Sequence, residues 1–178
     1  MNPEQIHLRD ARRPDLRRIV HIYNTSIPDR MATADLAPVT VTSRQQWFAQ
    51  HQSRPDTPLI VAELTASHVV AGWASLSEFY GREAYAGTRE IAVYVHPDYQ
   101  GIGVASTLID AILRRAKEHE LHSIMAYVFS HNSPSLTLFR RFGFSPWGHC
   151  PDIARLDGQP CSLDILGLSL PTNKATPE

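Results

Sequence analysis

Cysteine is scarce in this chain: only Cys150 and Cys161 occur, and neither belongs to a CxxC pair or a Cys/His ladder. A structural zinc site is therefore close to excluded, and no disulfide framework is expected. No stretch approaches the roughly 18 consecutive apolar residues of a membrane span, and residues 1–10 hold no apolar export segment. A reducing cytoplasm is the default expectation, with the two thiols unpaired. Charge of one sign is also missing, since 17 Lys and Arg stand against 18 Asp and Glu for a net charge of −1. A phosphate-backbone binder would carry an excess of positive charge, so DNA or RNA as the main partner is disfavoured. Internal repeats and interior linkers are absent too.

What is present is an ordinary globular composition: 178 residues, 43% hydrophobic and 20% charged. At about 150 residues per domain this predicts one domain over 1–170, followed by a fraying tail over 171–178. Leu16, Ile19, Val20 and Tyr23 recur on one face of a helix behind Pro14 and Asp15. Ser43 with Gln46 reads as a capping box opening a second helix that carries Trp47 and Phe48, and 24–41 reads as loop plus a short helix. Residues 59–63 and 69–76 are β-rich around a polar turn, hence an antiparallel hairpin, and a third strand runs over 88–95. Val104, Leu108, Ile109, Ile112 and Leu113 then describe an amphipathic helix, and 123–129 the next strand, which makes a right-handed crossover between parallel strands. Ser133 as cap and Pro134 as first helical residue open another helix, which Gly143 stops. Strands from Phe144 onward and over 162–170 complete the order. In the last one Leu163 and Ile165 share one parity and Leu166 and Leu168 the other, which suggests a bulge or a change of exposed face. The expected architecture is a mixed α/β sheet with helices on both faces.

The most informative stretch lies between the third strand and its helix, His96-Pro-Asp-Tyr-Gln-Gly-Ile-Gly-Val-Ala105. Loop glycines let backbone approach an anion, and the helix start offers unpaired N–H groups at a positive dipole end. A phosphate or pyrophosphate fits there, as does a plain tight turn. No Lys follows either glycine as a nucleoside-triphosphate loop requires. A dinucleotide fingerprint would want Gly or Ala at Ser106 and an acid where Ser130, His131 and Asn132 stand.

Gln100-x-x-Gly103-x-Ala105 after one strand, with Asn132 and Ser135 after the next, resembles the acetyl-CoA site of the GCN5-related N-acetyltransferase (GNAT) superfamily. Ile22-Tyr23-Asn24 and the segment from Arg82 through Tyr85, Thr88 and Glu90 to Val95 resemble its phosphinothricin and methionine sulfoximine acetyltransferase group. The resemblance spans about residues 6–170. It implies the GNAT fold, a mostly antiparallel sheet splayed at two central parallel strands, and acetyl-CoA as cosubstrate with no metal. It implies that backbone groups of Val93 and Val95, beside Tyr94, pair with pantetheine. Gln100, Gly101, Ile102, Gly103, Val104, Ala105 and Ser106 would hold the pyrophosphate, with Asn132, Ser135 and Phe139 along the pantetheine arm. From the residues alone Asn132 serves equally as a helix cap; the resemblance favours the ligand role.

An amine attacks a thioester only when neutral, and an α-amino group of pKa about 8 is roughly one-tenth neutral at pH 7. The resemblance makes Glu90 the base, through the family's Thr-x-Glu pattern. Strand parity puts Glu90 with Ala92 and Tyr94 and leaves Ile91, Val93 and Val95 on the opposite face. An ordinary carboxylate is a weak base, so either a relaying water or burial is expected. The same resemblance implies a small amino-acid-like amine as acceptor, met by Phe79, Arg82, Tyr85, Thr88 and Glu90, with Arg30 and Arg89 as further cations.

Two departures stand out. Seven residues after the loop Asn many members of the superfamily carry Tyr and the phosphinothricin group usually His, whereas here Phe139 cannot protonate a leaving thiolate, leaving solvent, Tyr94 or Tyr127. The group's Trp-x-Asp near the end is replaced around Pro160-Cys161-Ser162. His119, His122 and His131 lack metal-ligand spacing and read as surface or turn residues, Arg12, Arg13, Arg17 and Arg18 as a solvated helix end, and Trp47, Phe48, Trp73 and Phe79 as core or pocket wall. The expected activity is acetyl transfer to a small amine by direct attack in a ternary complex. Its rivals are a protein N-terminus or lysine as acceptor and a non-catalytic acyl-CoA sensor. A homodimer is common in the resembling group, and no residue pattern decides it here.

Overall fold

The computed structural model describes residues 5–171, so the expected tail beyond Pro171 lies outside the described residues. Among the described residues seven strands form one sheet in the order β1-β2-β3-β4-β5-β7-β6. They are β1 (Ile6–Asp10), β2 (Leu59–Leu64), β3 (Val70–Glu78), β4 (Thr88–Val95), β5 (Ser123–Phe129), β6 (Ser145–Leu156) and β7 (Gln159–Ser169). Four α-helices among the described residues accompany them: α1 (Leu16–Thr25), α2 (Val41–Ser53), α3 (Val104–Glu118) and α4 (Ser133–Arg141). Among the described residues no helix is long and apolar enough to cross a membrane.

Every neighbouring pair of strands is antiparallel except β4 and β5. That parallel pair is joined only at Thr88↔Ser123, Arg89↔Ile124 and Glu90↔Met125, although both strands continue for several residues. β4 meanwhile stays paired with β3 from Arg89 to Val95, and β5 with β7 along its whole length. The sheet therefore opens into a V just beyond Glu90, and the β4 backbone there has no strand partner on its β5 side.

Alternation along β4 divides two cores. Ile91, Val93 and Val95 join Ala62, Ala74 and Leu76 beneath Val104, Leu108 and Ile112 of α3. Ala92 and Tyr94 join Val61 and Trp73 beneath Ile19 and Val20 of α1 and Phe48 of α2. Gly72 sets how closely β3, β4 and α3 approach: a Cβ there would lie 2.9 Å from the Tyr94 carbonyl oxygen and 3.0 Å from Val104. Gly72→Ala is expected to cost about 1–3 kcal/mol by overpacking, read by chemical denaturation. An unchanged unfolding midpoint would show that α3 and β4 part freely.

Several expectations need correction. β1 is an added strand, antiparallel to β2, where a leading helix was expected to open the fold. Its short alternation of Ile6 and Leu8 stops at Asp10, while Arg9 on the opposite face pairs its guanidinium with Asp15 and Glu63 at 2.7 and 2.8 Å. The cap of α2 is Thr40, whose side chain accepts the Ser43 N–H, not Ser43. Residues 26–40 contain no helix; instead Asn24 exchanges two 2.9 Å hydrogen bonds with the Val39 backbone, satisfying it without one. The cap of α4 is Asn132, one residue before Ser133. β7 pairs with β5 without interruption; the register slips lie in β6, at Pro146/Gly148 and Cys150/Ala154. Cys150 and Cys161 are both free thiols.

Candidate active site

The turn leading into α3 holds Gly101 at φ 78° and Gly103 at φ 91°. A side chain is strained in that region, whereas glycine is not. Among the described residues nothing beyond the immediate chain neighbours lies within 4 Å of the place a Cβ would occupy at either glycine, so the space above the loop backbone is open. Gly103 is the N-cap of α3, and the Thr107 amide makes the helix's first bond to the Gly103 carbonyl at 3.0 Å. The amides of Val104, Ala105 and Ser106 precede that bond and lack intrahelical acceptors. Together they form an anion-binding mouth with the positive end of the helix dipole behind it.

A groove of ≈ 420 Å³ runs from the opened V between β4 and β5 toward α4. β4 contributes Val93 and Tyr94, β5 contributes Tyr127 and Phe129, and α4 with its cap contributes Asn132, Ser135 and Phe139. The side-chain Oδ1 of Asn132 accepts the Ser135 N–H at 3.2 Å, and its Nδ2 donates to the Met31 carbonyl at 3.0 Å. Asn132 thus caps α4 and tethers the 26–40 loop, whose Met31 to Ala34 portion roofs the groove. Further ties hold that roof. Arg30 forks onto Asp157 at 2.8 and 3.0 Å, His131 bonds the Arg30 carbonyl at 2.9 Å, and the Tyr94 hydroxyl donates to the Ala32 carbonyl at 3.2 Å.

On the other face of β4 lies a smaller cavity of ≈ 180 Å³ between α1, α2 and β3. Trp47 and Trp73 form aromatic walls, Ser75, Ser77 and Glu90 supply oxygens, and Arg44 supplies a cation. The register places Ser77 opposite Glu90 and Ser75 opposite Ala92, so the polar groups share one face of two paired strands. Glu90, Ala92 and Tyr94 line both this cavity and the groove. Burial pushes the Glu90 carboxyl above its ordinary value. Burial also raises the Tyr94 and Tyr127 hydroxyls, with the charge of Glu90 adding to the effect at Tyr127, so both phenols hold their protons.

The fold gathers some anticipated site residues and disperses others. Val93, Tyr94, Asn132, Ser135 and Phe139 surround the groove, and Gln100 to Ser106 form the helix mouth, with Gln100 donating a long 3.5 Å bond to the Val95 carbonyl. Phe79 and Tyr85 meet Tyr80 in an aromatic cluster outside both cavities, and Arg82 is exposed at the start of a short turn. Thr88 is buried and lines neither cavity. The additional cations are structural: Arg30 is committed to Asp157, while Arg89, 2% exposed, bonds Asp56 and the Ala86 and Thr88 carbonyls. Arg44, Ser75 and Ser77 were not anticipated. Their signal was Arg44 three residues before Trp47 on one helix, and the alternation of Trp73, Ser75 and Ser77 along a strand.

The chain matches the family model described as "Acetyltransferase (GNAT) family" over residues 16–144. It is 46% identical to YwnH of Bacillus subtilis (strain 168), a protein named provisionally as a phosphinothricin acetyltransferase, over 92% of this chain and 98% of that one. It is 34% identical to the L-methionine sulfoximine/L-methionine sulfone acetyltransferase of Pseudomonas aeruginosa PAO1, over 96% and 98% of the two chains. A GNAT superfamily phosphinothricin acetyltransferase from Sinorhizobium meliloti, solved in complex with acetyl-CoA, superposes with a TM-score of 0.89 at 25% identity, over 97% of this chain and 93% of that one.

Proposed function

Because this chain belongs to the acetyltransferase (GNAT) family, we propose that it transfers the acetyl group of acetyl-CoA to the amino group of a small amino-acid-like acceptor, of the phosphinothricin and methionine sulfoximine type. One observation carries this reading: Glu90, Ala92 and Tyr94 are a wall common to the groove and to the small cavity. A thioester held in the groove and an amine held in the cavity would meet across that wall.

The residues divide the work. The helix mouth at Gly101 to Ser106 takes the diphosphate, and the unpaired β4 edge beyond Glu90 offers backbone groups to the pantetheine amides. Acetyl-CoA supplies an acyl carbon activated as a thioester. The Glu90 carboxylate, whose proton affinity is raised by burial, accepts the ammonium proton and frees the attacking lone pair. Phe139, packed edge-on against Phe144 at 5.1 Å, has no proton to give the departing thiolate. The Tyr94 hydroxyl is occupied with the roof at Ala32, so Tyr127 is the donor. Tyr127→Phe is expected to lower kcat about tenfold, below the usual effect of an acid because a thiol leaves readily; an unchanged kcat would assign the proton to solvent.

The cavity's small volume and its position between α1, α2 and β3 favour a small acceptor over a peptide N-terminus or a protein lysine. Initial rates with acetyl-CoA and a panel of phosphinothricin, methionine sulfoximine, simple amines and a peptide test the reading. Turnover confined to the amino-acid-like amines supports it. Turnover of the peptide alone, or acetyl-CoA binding with no turnover on any amine, contradicts it.

A further inference from the structure

Among the described residues lining the small cavity, Arg44 is the only cation and Glu90 the only anion. The Arg44 guanidinium packs against two aromatic rings: it lies 4.9 Å from the Tyr23 ring centroid and 5.9 Å from that of Trp47. Its sole hydrogen bond among the described residues runs from Nη2 to the Asp35 carboxylate at 3.3 Å, long for a charge-assisted bond. Asp35 is itself engaged elsewhere, accepting from the Tyr23 hydroxyl, and its side chain is 43% exposed. A guanidinium has five N–H donors arranged to grip a carboxylate through two parallel bonds. Most of that capacity is unused here, and it belongs to a side chain lining the cavity that also contains the base.

We propose that Arg44 binds the α-carboxylate of the acceptor and so makes the enzyme select free α-amino acids over their amides and over simple amines. The inference rests on the acetyl-transfer reading and adds to it the group that orients the acceptor. A cation and a carboxylate in one small cavity complement a molecule whose amine and carboxylate share a single carbon. The amine turns toward Glu90 and the carboxylate toward Arg44, while Trp47 and Trp73 wall the remaining side chain. The α-carboxylate is the committed anion because every α-amino acid has it, whether its side-chain head is charged or neutral. Asp35, on the roof loop, competes for the same guanidinium, so its carboxylate yields one edge of the fork when an acceptor binds.

The experiment compares L-methionine sulfone, its carboxamide and phosphinothricin on wild type, Arg44→Gln, Arg44→Lys and Asp35→Asn. The ratio of kcat/KM for acid over amide, taken in the variant relative to wild type, cancels the differing basicity of the two amines. Arg44→Gln is expected to lower that ratio by about 30-fold or more through the KM of the acid, with Arg44→Lys recovering part of it. Phosphinothricin should lose as much as the sulfone; a loss on phosphinothricin alone would assign Arg44 to the charged head and overturn the α-carboxylate assignment. Asp35→Asn, which still accepts from Tyr23, is expected to lower the KM of both acids and leave that of the amide in place. Equal losses on acid and amide in Arg44→Gln would make Arg44 structural and contradict the proposal. Should that variant fail to fold, unchanged acid KM values in Asp35→Asn would contradict it as well. Wild type that acetylates acid and amide alike refutes the carboxylate clamp and leaves acetyl transfer standing, whereas wild type inert on every amine refutes both.

Discussion

Glu90→Gln is expected to lower kcat at neutral pH by about 10²–10³-fold, within the usual range for removing a positioned general base. The substitution keeps the shape of the side chain that separates the groove from the small cavity, so the KM for acetyl-CoA should change little. The wild-type carboxyl is raised by burial, which brings its proton affinity closer to the operating pH and makes it a better base than an exposed glutamate. Wild-type kcat should therefore fall as pH drops through the raised value. In Glu90→Gln that acidic limb disappears, leaving only the dependence set by the amine's own deprotonation.

The same burial has a sign in stability. A carboxyl raised in the folded state is destabilising when ionised, so nothing is lost while pH stays below the unfolded value. Stability then declines as pH rises through the folded one. Glu90→Gln should thus be more stable than wild type at pH 7, with the gap closing in acid. Lower activity with higher stability separates loss of a base from simple unfolding. A variant with full activity and an unchanged pH profile would remove Glu90 from the mechanism.

The second large effect is expected at the helix mouth. Gly103 caps α3 at φ 91°, a conformation that a β-branched residue resists. Gly103→Val should impose about 1–3 kcal/mol of backbone strain or shift the amides that follow. Either result weakens acetyl-CoA binding by about 5- to 150-fold, measured calorimetrically. Because no atom of the described residues beyond the chain neighbours fills the space beside Gly103, a steric clash with them does not account for the loss. Affinity equal to wild type would mean that the diphosphate is held elsewhere.

Features carried by local periodicity were legible. The strand expected over 88–95 is β4 as observed, and the Val104 to Leu113 spacing marks α3 correctly, so the crossover and the glycine mouth between them follow from the residues. Parity along β4 also placed Glu90 with Ala92 and Tyr94 on one face. What was missed depends on contacts between distant segments. β1 is five residues long and gains its strand character from pairing with β2. Residues 26–40 gain fixed shape from Asn24, Asn132, Asp157 and Tyr94, none of which lies within them.

The acceptor cavity shows the same division. Arg82 sits in the segment that resembles a substrate motif, yet it is exposed and lines neither cavity. Arg44 lies on a helix with little apolar patterning, and only the packing of α2 against α1 and β3 brings it into the small cavity with Glu90. The one local sign that Arg44 faces inward is Trp47 three residues on, and an i, i+3 pair does not say which cavity the two side chains share. Side chains that meet only through tertiary structure are the part of a site that periodicity cannot reveal.

The most direct test of the two-sided wall is a crystal structure of the protein with CoA and an amino-acid acceptor bound together. The predicted result places the diphosphate on the Gly101 to Ser106 amides and the thiol at the opened edge of β4 beyond Glu90. The acceptor nitrogen should lie within hydrogen-bond reach of the Glu90 carboxylate on the other side of the strand. An acceptor seated away from Glu90, or a CoA that leaves the opening between β4 and β5 empty, would contradict the account.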